Sequence, residues 1–464
     1  MPAPARLGDH AVVIGGSVAG LLAARVLAAH YRRVTILERD RLPAGADARK
    51  GTPQARHIHV LLTAGRRVIE RLYPGFVADL VAAGAEDYDA AGDVEWYSPA
   101  GPATTRFRSG LRFLGATRDL LEWGVRTRTL AHPGIEVRDG VSVAAYRLDP
   151  TGRRVVGVVL DRREGPGLPA EGLAADLVVD ASGRGSRTPQ LLESLGFPRP
   201  RETVVNGFLG YASRLVKRPA GWTDWSALHV QAAPPHRRRG GVIAPVEGGR
   251  WVVTLAGGGK DYPPTDDAGF REFARSLPDP RFAAAVEAAE PLSPIVGTKT
   301  SENRVRYYEE VTRRPEGLVV TGDAACAFNP VYGQGMSAAA VGAEVLDGCL
   351  RAARPGVVGL AARFQRRLAK ANARPWLLAT GEDYRFAEAE GPPPGLVVRL
   401  AHRYLDRVTA LAARDPAVRR RFVEVVHLVR SPLSFLTPSM VARTVLAGRA
   451  RATPVLDRPA LRHR

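Results

Sequence analysis

The sequence predicts an α/β fold, because four apolar stretches each end at a glycine, at an acid or at both. The run His10–Ile14 breaks into a glycine turn, a helix-forming stretch follows Gly20, and a second β-branched run ends at Glu38. Two further apolar runs, at 176–180 and 317–323, also end on an acid close to glycine. β-Branched runs that alternate with helix-forming stretches are typical of strands in a buried, mostly parallel sheet.

The first stretch, VVIGGSVAG, has the spacing of a Rossmann-type dinucleotide-binding turn with Ser17 in place of the middle glycine. Gly15 permits the tight turn, the small Ser17 lets the backbone approach a pyrophosphate, and Gly20 lets the helix pack closely on the strand. Glu38 follows at the spacing expected for the acid that binds a ribose hydroxyl. The residues expected to bind the nucleotide here are Gly15, Gly16, Ser17, Ala19, Gly20, Glu38 and Arg39.

The chain is strongly basic, with a formal net charge of +19 and a pI near 10.6. Its arginines are scattered without a nucleic-acid recognition motif, so we predict no nucleic-acid partner, while an acidic partner or a membrane surface stays open. The two cysteines, Cys326 and Cys349, exclude a disulfide framework and a cysteine-rich metal site. No apolar stretch reaches the roughly 20 residues of a membrane span. Because no signal peptide is recognised either, we expect a cytoplasmic protein with no integral membrane segment.

The succession of patterns divides the chain into five segments. They are a βαβ unit (1–75), interleaved strands and a helix that return to its sheet (76–190), a β-rich second domain (191–316), a strand, loop and helix (317–360), and a helical C-terminal region (361–464). The C-terminal helices are expected to be interrupted by EGPPPG at 390–395.

Two later motifs are suited to contact the same ligand as the N-terminal turn. In GLVVTGDAACAFNPVYGQGMS, an apolar strand ends at Gly322 and Asp323, and a glycine-rich loop precedes a helix. A carboxylate at a strand end can accept hydrogen bonds from a polyol, and such a loop presents N–H donors to an electron-rich ring. In DLVVDASGRGSR, a buried strand again ends on an acid, Asp180, before glycines and a helix.

Together the three motifs resemble those of the group A flavin-dependent monooxygenases, which have the para-hydroxybenzoate hydroxylase fold, over residues 1 to about 345. The resemblance implies a Rossmann-type FAD-binding domain interleaved with a β-sheet substrate domain. It implies that the N-terminal turn holds the ADP half of FAD, that Asp323 binds the ribityl chain and that Arg118 contacts the flavin. Asp180 begins DASGRGSR, which departs from the family's DGxxSxxR pattern by an inserted Ala-Ser. The loop residues placed beside the flavin ring are Pro330, Val331, Tyr332, Gly333, Gln334, Gly335 and Met336.

The resemblance also implies a reaction. Reduced FAD and O2 would form a C4a-hydroperoxide whose distal oxygen goes to an electron-rich alkene or aromatic carbon, with NAD(P)H or a separate flavin reductase supplying the electrons. GTPQARHIHVLL and NPVYGQGMS look like the branch of bacterial polyether epoxidases and squalene epoxidase relatives. We therefore expect epoxidation of a hydrophobic, polyketide- or isoprenoid-like polyene in secondary metabolism. An aromatic hydroxylase of the same fold and a flavin-dependent reductase of isoprenoid double bonds stay open. Lys50 resembles the lysine of flavin halogenases, but their tryptophan-rich signature is missing.

No acid–base triad stands out, so no catalytic side chain is predicted, and the pocket is expected to be apolar and closed to water. His57 and His59 lack a third ligand, so we predict no metal and expect one of the two histidines to be structural. The side chains expected to reach the substrate, each of which could pack in the core instead, are Gln54, Arg56, His57, His59, Phe208, Tyr211, His229, Tyr332 and Trp376.

Overall fold

The computed structural model describes residues 6–162, 171–222, 224–299, 302–353 and 357–447. The strands are β1 (Gly8–Ile14), β2 (Tyr31–Glu38), β3 (Glu86–Asp89), β4 (Val94–Ser98), β5 (Gly101–Pro102), β6 (Arg112–Gly115), β7 (Ile135–Asp139), β8 (Val141–Leu148), β9 (Val155–Arg162), β10 (Glu171–Ala174), β11 (Leu177–Asp180), β12 (Glu202–Val205), β13 (Gly210–Lys217), β14 (Ala227–Val230), β15 (Arg239–Val246), β16 (Arg250–Gly257), β17 (Glu290–Pro291), β18 (Val296–Thr298), β19 (Asn303–Arg306), β20 (Leu318–Val320) and β21 (Cys326–Ala327). The α-helices are α1 (Val18–Leu27), α2 (Thr63–Leu72), α3 (Phe76–Ala82), α4 (Arg118–Leu130), α5 (Thr188–Ser194), α6 (Asp267–Arg275), α7 (Pro280–Ala288), α8 (Gly335–Arg351), α9 (Leu360–Asp383), α10 (Leu396–Ala412), α11 (Pro416–Val426) and α12 (Pro438–Ala447).

The first layer is a five-stranded parallel sheet with the strand order β20-β11-β1-β2-β7. Its strands β1, β2 and β11 carry the apolar runs recognised in the sequence and are almost entirely buried. Because β1, β11 and β20 are parallel neighbours, their carboxyl ends at Ile14, Asp180 and Val320 meet at one edge of the sheet. Ligands of open parallel sheets bind outside that edge. The predicted α/β fold class is confirmed.

The second layer is an eight-stranded sheet in the order β17-β13-β16-β15-β14-β4-β5, with β18 also paired to β13. Helices α6 and α7 cover one of its faces and bury Phe270 and Phe282 against it. Along β13, Ala212 packs into this core, so Tyr211 and Ser213 point to the opposite face. That face is turned toward the carboxyl edge of the parallel sheet, where Tyr211 lines the same cavity as the β1–α1 turn.

The C-terminal region is helical, as predicted, and the EGPPPG segment lies between the end of α9 and the start of α10. Helix α9 packs against α8, while α10, α11 and α12 form a separate apolar cluster that includes Trp96 of β4. Helices α6 and α7 lie in the stretch that the sequence had indicated only as rich in strands. Within the described ranges, no helix is long and apolar enough to cross a membrane.

Candidate cofactor and substrate site

A cavity of about 1280 Å³ lies between the carboxyl edge of the parallel sheet and the second sheet. It is larger than the roughly 300–1,000 Å³ of a typical small-molecule pocket, so it can hold an extended ligand. Its lining comes from the β1–α1 turn, the end of β2, the segment 48–60, Arg118, part of β8, the loop 180–188, Tyr211, β18 and the region 323–339.

The glycine turn at one end of the cavity can be built only with glycine at two positions. Gly15 has φ +104°, in the left-handed region, and a Cβ there would lie 2.5 Å from the carbonyl oxygen of Ala181. A Cβ on Gly20 would lie 1.8 Å from the carbonyl oxygen of Gly15. Helix α1 begins directly after Ser17 without a side-chain cap, and Val18 and Ala19 line the cavity. The helix therefore presents its N-terminal N–H groups to the ligand space.

Ser17 contributes more than small size, because it belongs to a buried network of charges. Its hydroxyl donates to Glu122 Oε2 at 2.8 Å and accepts from Arg118 Nη2 at 2.8 Å. Arg118 Nη2 also lies 2.6 Å from Glu122 Oε2, and Arg49 Nε donates to Glu122 Oε1 at 2.8 Å. Burial raises the pKa of Glu122, but Arg118 and Arg49 outweigh it and hold the pKa at about 2. Glu122 is thus ionised at neutral pH and fixes both arginines beside the turn.

Arg49 also joins the network to the end of β2. Its Nη1 lies 3.0 Å from Asp40 Oδ2 and 3.5 Å from Glu38 Oε2. Glu38 is buried and accepts a hydrogen bond from the N–H of Gly16 at 2.7 Å. Neither Arg49 nor Glu122 was predicted as a site residue, because each gains its role only through contacts between distant segments.

The Gly322–Asp323 motif lies against the N-terminal turn, as the sequence predicts. Gly322 has φ +59°, and a Cβ there would lie 2.7 Å from Cβ of Ala19. Asp323 faces the open space of the cavity. The following loop leads into α8, whose first residues, Gly335 and Met336, also line the cavity. Two helix N-termini, those of α1 and α8, therefore point to one ligand space, and both favour negative charge there.

Asp180 shapes the third motif from within. Its carboxylate accepts hydrogen bonds from the backbone N–H of Ser182 and from the hydroxyls of Ser182, Ser186 and Thr188. Because these four donors bind both carboxylate oxygens, Asp180 stabilises the conformation of the loop that borders the cavity. The inserted Ala-Ser of DASGRGSR supplies two of the donors, the backbone N–H and the hydroxyl of Ser182.

The wall opposite the turn carries polar side chains, whereas the sequence led us to expect an apolar pocket. A hydrogen bond of 2.9 Å joins His57 Nδ1 and Ser213 Oγ, and Ser213 Oγ lies 2.8 Å from Thr254 Oγ1 on the neighbouring strand. The ring of Tyr211 meets that of His57 edge-on, with centroids 4.7 Å apart. Burial lowers the pKa of His57 to about 4 and that of His59 to about 3. Both histidines are therefore neutral at pH 7.

The structure brings most of the predicted site residues together. Those that line the cavity are Gly15, Ser17, Ala19, Glu38, Arg39, Arg118, Asp180, Asp323, Pro330, Gly333, Gly335 and Met336 from the cofactor set, and Gln54, Arg56, His57, His59 and Tyr211 from the substrate set. Among the described residues, the cavity wall does not include Gly16, Gly20, Gly322, Gln334, Phe208, His229, Tyr332 or Trp376. The first three of these pack the turns that border the cavity. His57 and His59 both line it, because residues two apart in an extended segment share a side.

Four of the residues predicted to contact the substrate have other neighbours. Tyr332 donates its hydroxyl to Asp383, and Trp376 packs near Cys326 in a small separate cluster. Phe208 lies under the ammonium group of Lys260, and His229 is held within the second sheet on β14. None of these four described residues is among those that line the cavity.

The residues around the cavity fit FAD. Arg118 is 5% exposed and its Nη1 has no hydrogen-bond partner in the described structure, so this buried cation has a donor available for an anionic or polar ligand. The glycine turn leaves no room for side chains where a pyrophosphate would lie, and Asp323 can accept from a polyol. One continuous cavity connects the end of β2 with the start of α8, since Glu38 and Met336 both line it.

Comparisons with known proteins point the same way. The chain is 34% identical over 439 residues to protein Rv3254 of Mycobacterium tuberculosis, covering 93% of this chain and 92% of that protein. It is 29% identical over 384 residues to kynurenine 3-monooxygenase of Salinispora arenicola, covering 77% and 76%. The solved structure of PqsL, a probable FAD-dependent monooxygenase from Pseudomonas aeruginosa, superposes with a TM-score of 0.59 at 17% identity, covering 82% of this chain and 97% of that one. This last likeness shows the fold.

The fold and the site define an FAD-dependent monooxygenase of the group A type. Residues 10–350 match the family described as FAD binding domain, and the chain belongs to that family. The predicted cofactors, FAD with NAD(P)H as reductant, are supported.

Proposed function

We propose that this enzyme hydroxylates a small aromatic substrate that carries a hydrogen-bonding group. The observation that supports the proposal is the pair of polar side chains on the cavity wall, His57 and Tyr211, of which His57 is held by a hydrogen bond to Ser213. His57 Nε2 and the Tyr211 hydroxyl make no hydrogen bond to another described residue, and both residues line the cavity, so both groups are available to a ligand. A polyene would leave such groups unpaired, which costs about 1–3 kcal/mol for each buried group. The similarity to a kynurenine 3-monooxygenase, whose name denotes an aromatic substrate, also supports it.

The side chains would share the work as follows. The chemistry that reduced FAD would supply here is the activation of O2, of which one oxygen atom would go to the substrate and the other to water. Arg118 and the N-termini of α1 and α8 would hold the cofactor, and Asp323 would accept hydrogen bonds from its polyol chain. Neutral His57, oriented by Ser213, would exchange a hydrogen bond or a proton with the polar group of the substrate and so orient the ring.

Epoxidation of a polyketide- or isoprenoid-like polyene is the second candidate. The apolar part of the same wall favours it, since Ile58, Val60, Val296 and Phe328 also line the cavity. The sequence patterns GTPQARHIHVLL and NPVYGQGMS support it as well. Reduction of the flavin by a separate reductase and a cytoplasmic location stay predictions. Lys50 lines the cavity, so halide dependence of the product would test a halogenase role.

A product assay decides between the candidates. Purified holoprotein would be incubated with NAD(P)H, O2 and a panel of phenols, anilines and polyenes, and products would be analysed for a gain of one oxygen atom. We expect aromatic hydroxylation, and we expect His57→Leu to raise KM for the aromatic substrate about 10- to 100-fold, as the loss of a polar contact predicts. His229→Leu is the matched control, because His229, on β14, is a histidine that does not line the cavity. Oxidised polyenes without any hydroxylated aromatic would overturn the proposal.

A further inference from the structure

A buried carboxylate outside the cavity connects the C-terminal helix α9 to the loop beside the cofactor space. Asp383, the last residue of α9, is 0% exposed. Its Oδ1 accepts from the hydroxyl of Tyr332 at 2.5 Å and from Asn329 Nδ2 at 3.5 Å, and its Oδ2 accepts from Asn303 Nδ2 at 2.6 Å. Asn303 in turn accepts from the N–H of Asn329 at 2.7 Å. Two residues of the loop are thus fixed from behind by one carboxylate.

The same loop forms part of the cofactor wall on its other side. Pro330, Gly333, Gly335 and Met336 line the cavity, whereas Tyr332 between them turns back to Asp383. Gly333 has φ +64°, so the chain reverses sharply here. A shift of Tyr332 would therefore be transmitted within one or two residues to atoms that face the ligand.

We propose that Asp383 is a positioning residue for the loop 329–336 and holds it firmly only while its carboxylate is ionised. Hydrogen bonds to an ionised acceptor are roughly twice as strong as those between neutral groups. A proton on either oxygen would weaken these bonds and would set a donor against one of the four donors that surround Asp383, the fourth being the backbone N–H of Gly207. The inference rests on the FAD site and is independent of which substrate is oxidised.

The surroundings of Asp383 put this change near neutral pH. Burial raises the pKa of Asp383 to about 7, against the hydrogen bonds from Tyr332 and Asn329, which lower it. On its own helix, Glu382 raises the pKa further, and Arg385 lies 3.2 Å from Glu382 and 2.6 Å from Asp406. On the loop side, the pKa of Tyr332 is raised well above its ordinary value, chiefly by burial, so its hydroxyl stays a donor.

The test is a pH titration of the bound flavin, read by absorption and fluorescence of FAD-loaded protein between about pH 5.5 and 8.5. We expect the wild-type spectrum to change with a midpoint near 7. Tyr332→Phe should move that midpoint up by about one to two pH units, since it removes a bond to the charged form. Asp383→Asn should abolish the change. Tyr384→Phe is the matched control, because the Tyr384 hydroxyl donates to the carbonyl of Pro392 instead, and its midpoint should stay at the wild-type value.

Three results would overturn the proposal: a wild-type spectrum that does not change over this range, an unaltered titration in Asp383→Asn, or equal midpoints in Tyr332→Phe and Tyr384→Phe. If Asp383→Asn does not fold, the two tyrosine variants decide alone. Product formation is not the readout, so failure of the proposed substrate class leaves this titration interpretable, and the reverse also holds.

Discussion

Arg118 lies at the point where the charge network of the protein meets the ligand space. One of its terminal nitrogens contacts Ser17 and Glu122, while the other has no partner among the described residues. A buried guanidinium is suited to bind an anionic or polar ligand when one terminal nitrogen is hydrogen-bonded within the protein and the other has no partner there. Glu122 holds the guanidinium in place before the ligand arrives, which reduces the entropic cost of binding.

Arg118→Met should weaken FAD binding by about 10- to 100-fold, because a hydrogen bond to a charged group contributes about 1.5–3 kcal/mol. Titration of the apoprotein with FAD, followed by quenching of flavin fluorescence, measures the effect. Arg128→Met, on the same helix but paired with Asp79 near the surface, should leave the affinity unchanged. Equal affinities in the two variants would remove Arg118 from the binding site.

Gly20 tests the close approach of α1 to the turn. Gly20→Ala should destabilise the protein by about 3 kcal/mol or more, because its Cβ would overlap a backbone oxygen that has no room to move. Gly348→Ala, in the last turn of α8 where a Cβ meets no atom within 4 Å, should stabilise it by up to about 1 kcal/mol. Urea unfolding of both variants gives the comparison, and similar losses in both would contradict the packing described.

At the residue scale, the sequence predicts those site residues whose identity is imposed by the local backbone. Gly15, Ser17 and Asp323 follow from the spacing of strand, turn and helix. Arg49 and Asp383 could not be predicted in this way. Arg49 lies in an irregular segment and meets Glu122 across 73 positions of the chain, and Asp383 meets Tyr332 across 51.

At the scale of elements, strand β13 divides the second sheet into a structural and a functional face. Ala212 packs toward α6 and α7, while Tyr211 and Ser213 face His57. The strand itself was predictable from its apolar pattern. The two covering helices have only nine residues each and interrupt a strand-rich stretch, so their N-caps at Asp266 and Asp279 were the local signals.

Phe282 of α7 is the side chain that best tests this face, since it is fully buried between helix and sheet. Phe282→Ala should cost about 3–5 kcal/mol of unfolding free energy. Tryptophan fluorescence reports it directly, because Trp225 and Trp251 lie in the same core. Leu292→Ala, at a side chain that is 47% exposed, should cost less than about 0.5 kcal/mol. A small loss at Phe282 would mean that the helices do not support the sheet.

At the scale of the whole molecule, the cavity exists because segments from both sheets and from the loop before α8 meet at one edge. The resemblance of the three motifs, in their order along the chain, predicts that these segments lie together, and the close contact of Gly322 with Ala19 is one place where they do. The character of the opposite wall could not be predicted, since it depends on the register between His57 and β13. The pocket was predicted to be apolar, whereas its wall carries both polar and apolar side chains. The proposed substrate is therefore an aromatic compound with a polar group, and a polyene is the second candidate.

The most direct test is the titration of apoprotein with FAD, with stoichiometry and affinity measured in wild type and in Asp323→Ala. Asp323 and the glycine turn line one continuous cavity, so one molecule of FAD should bind per chain. The variant should bind it about 10-fold or more weakly, as expected for the loss of a charged hydrogen-bond acceptor. Asp261→Ala, at a carboxylate paired with Arg239 away from the cavity, should bind like wild type. Absence of FAD binding, or an affinity that Asp323→Ala leaves unchanged, would contradict a single flavin site between these two motifs.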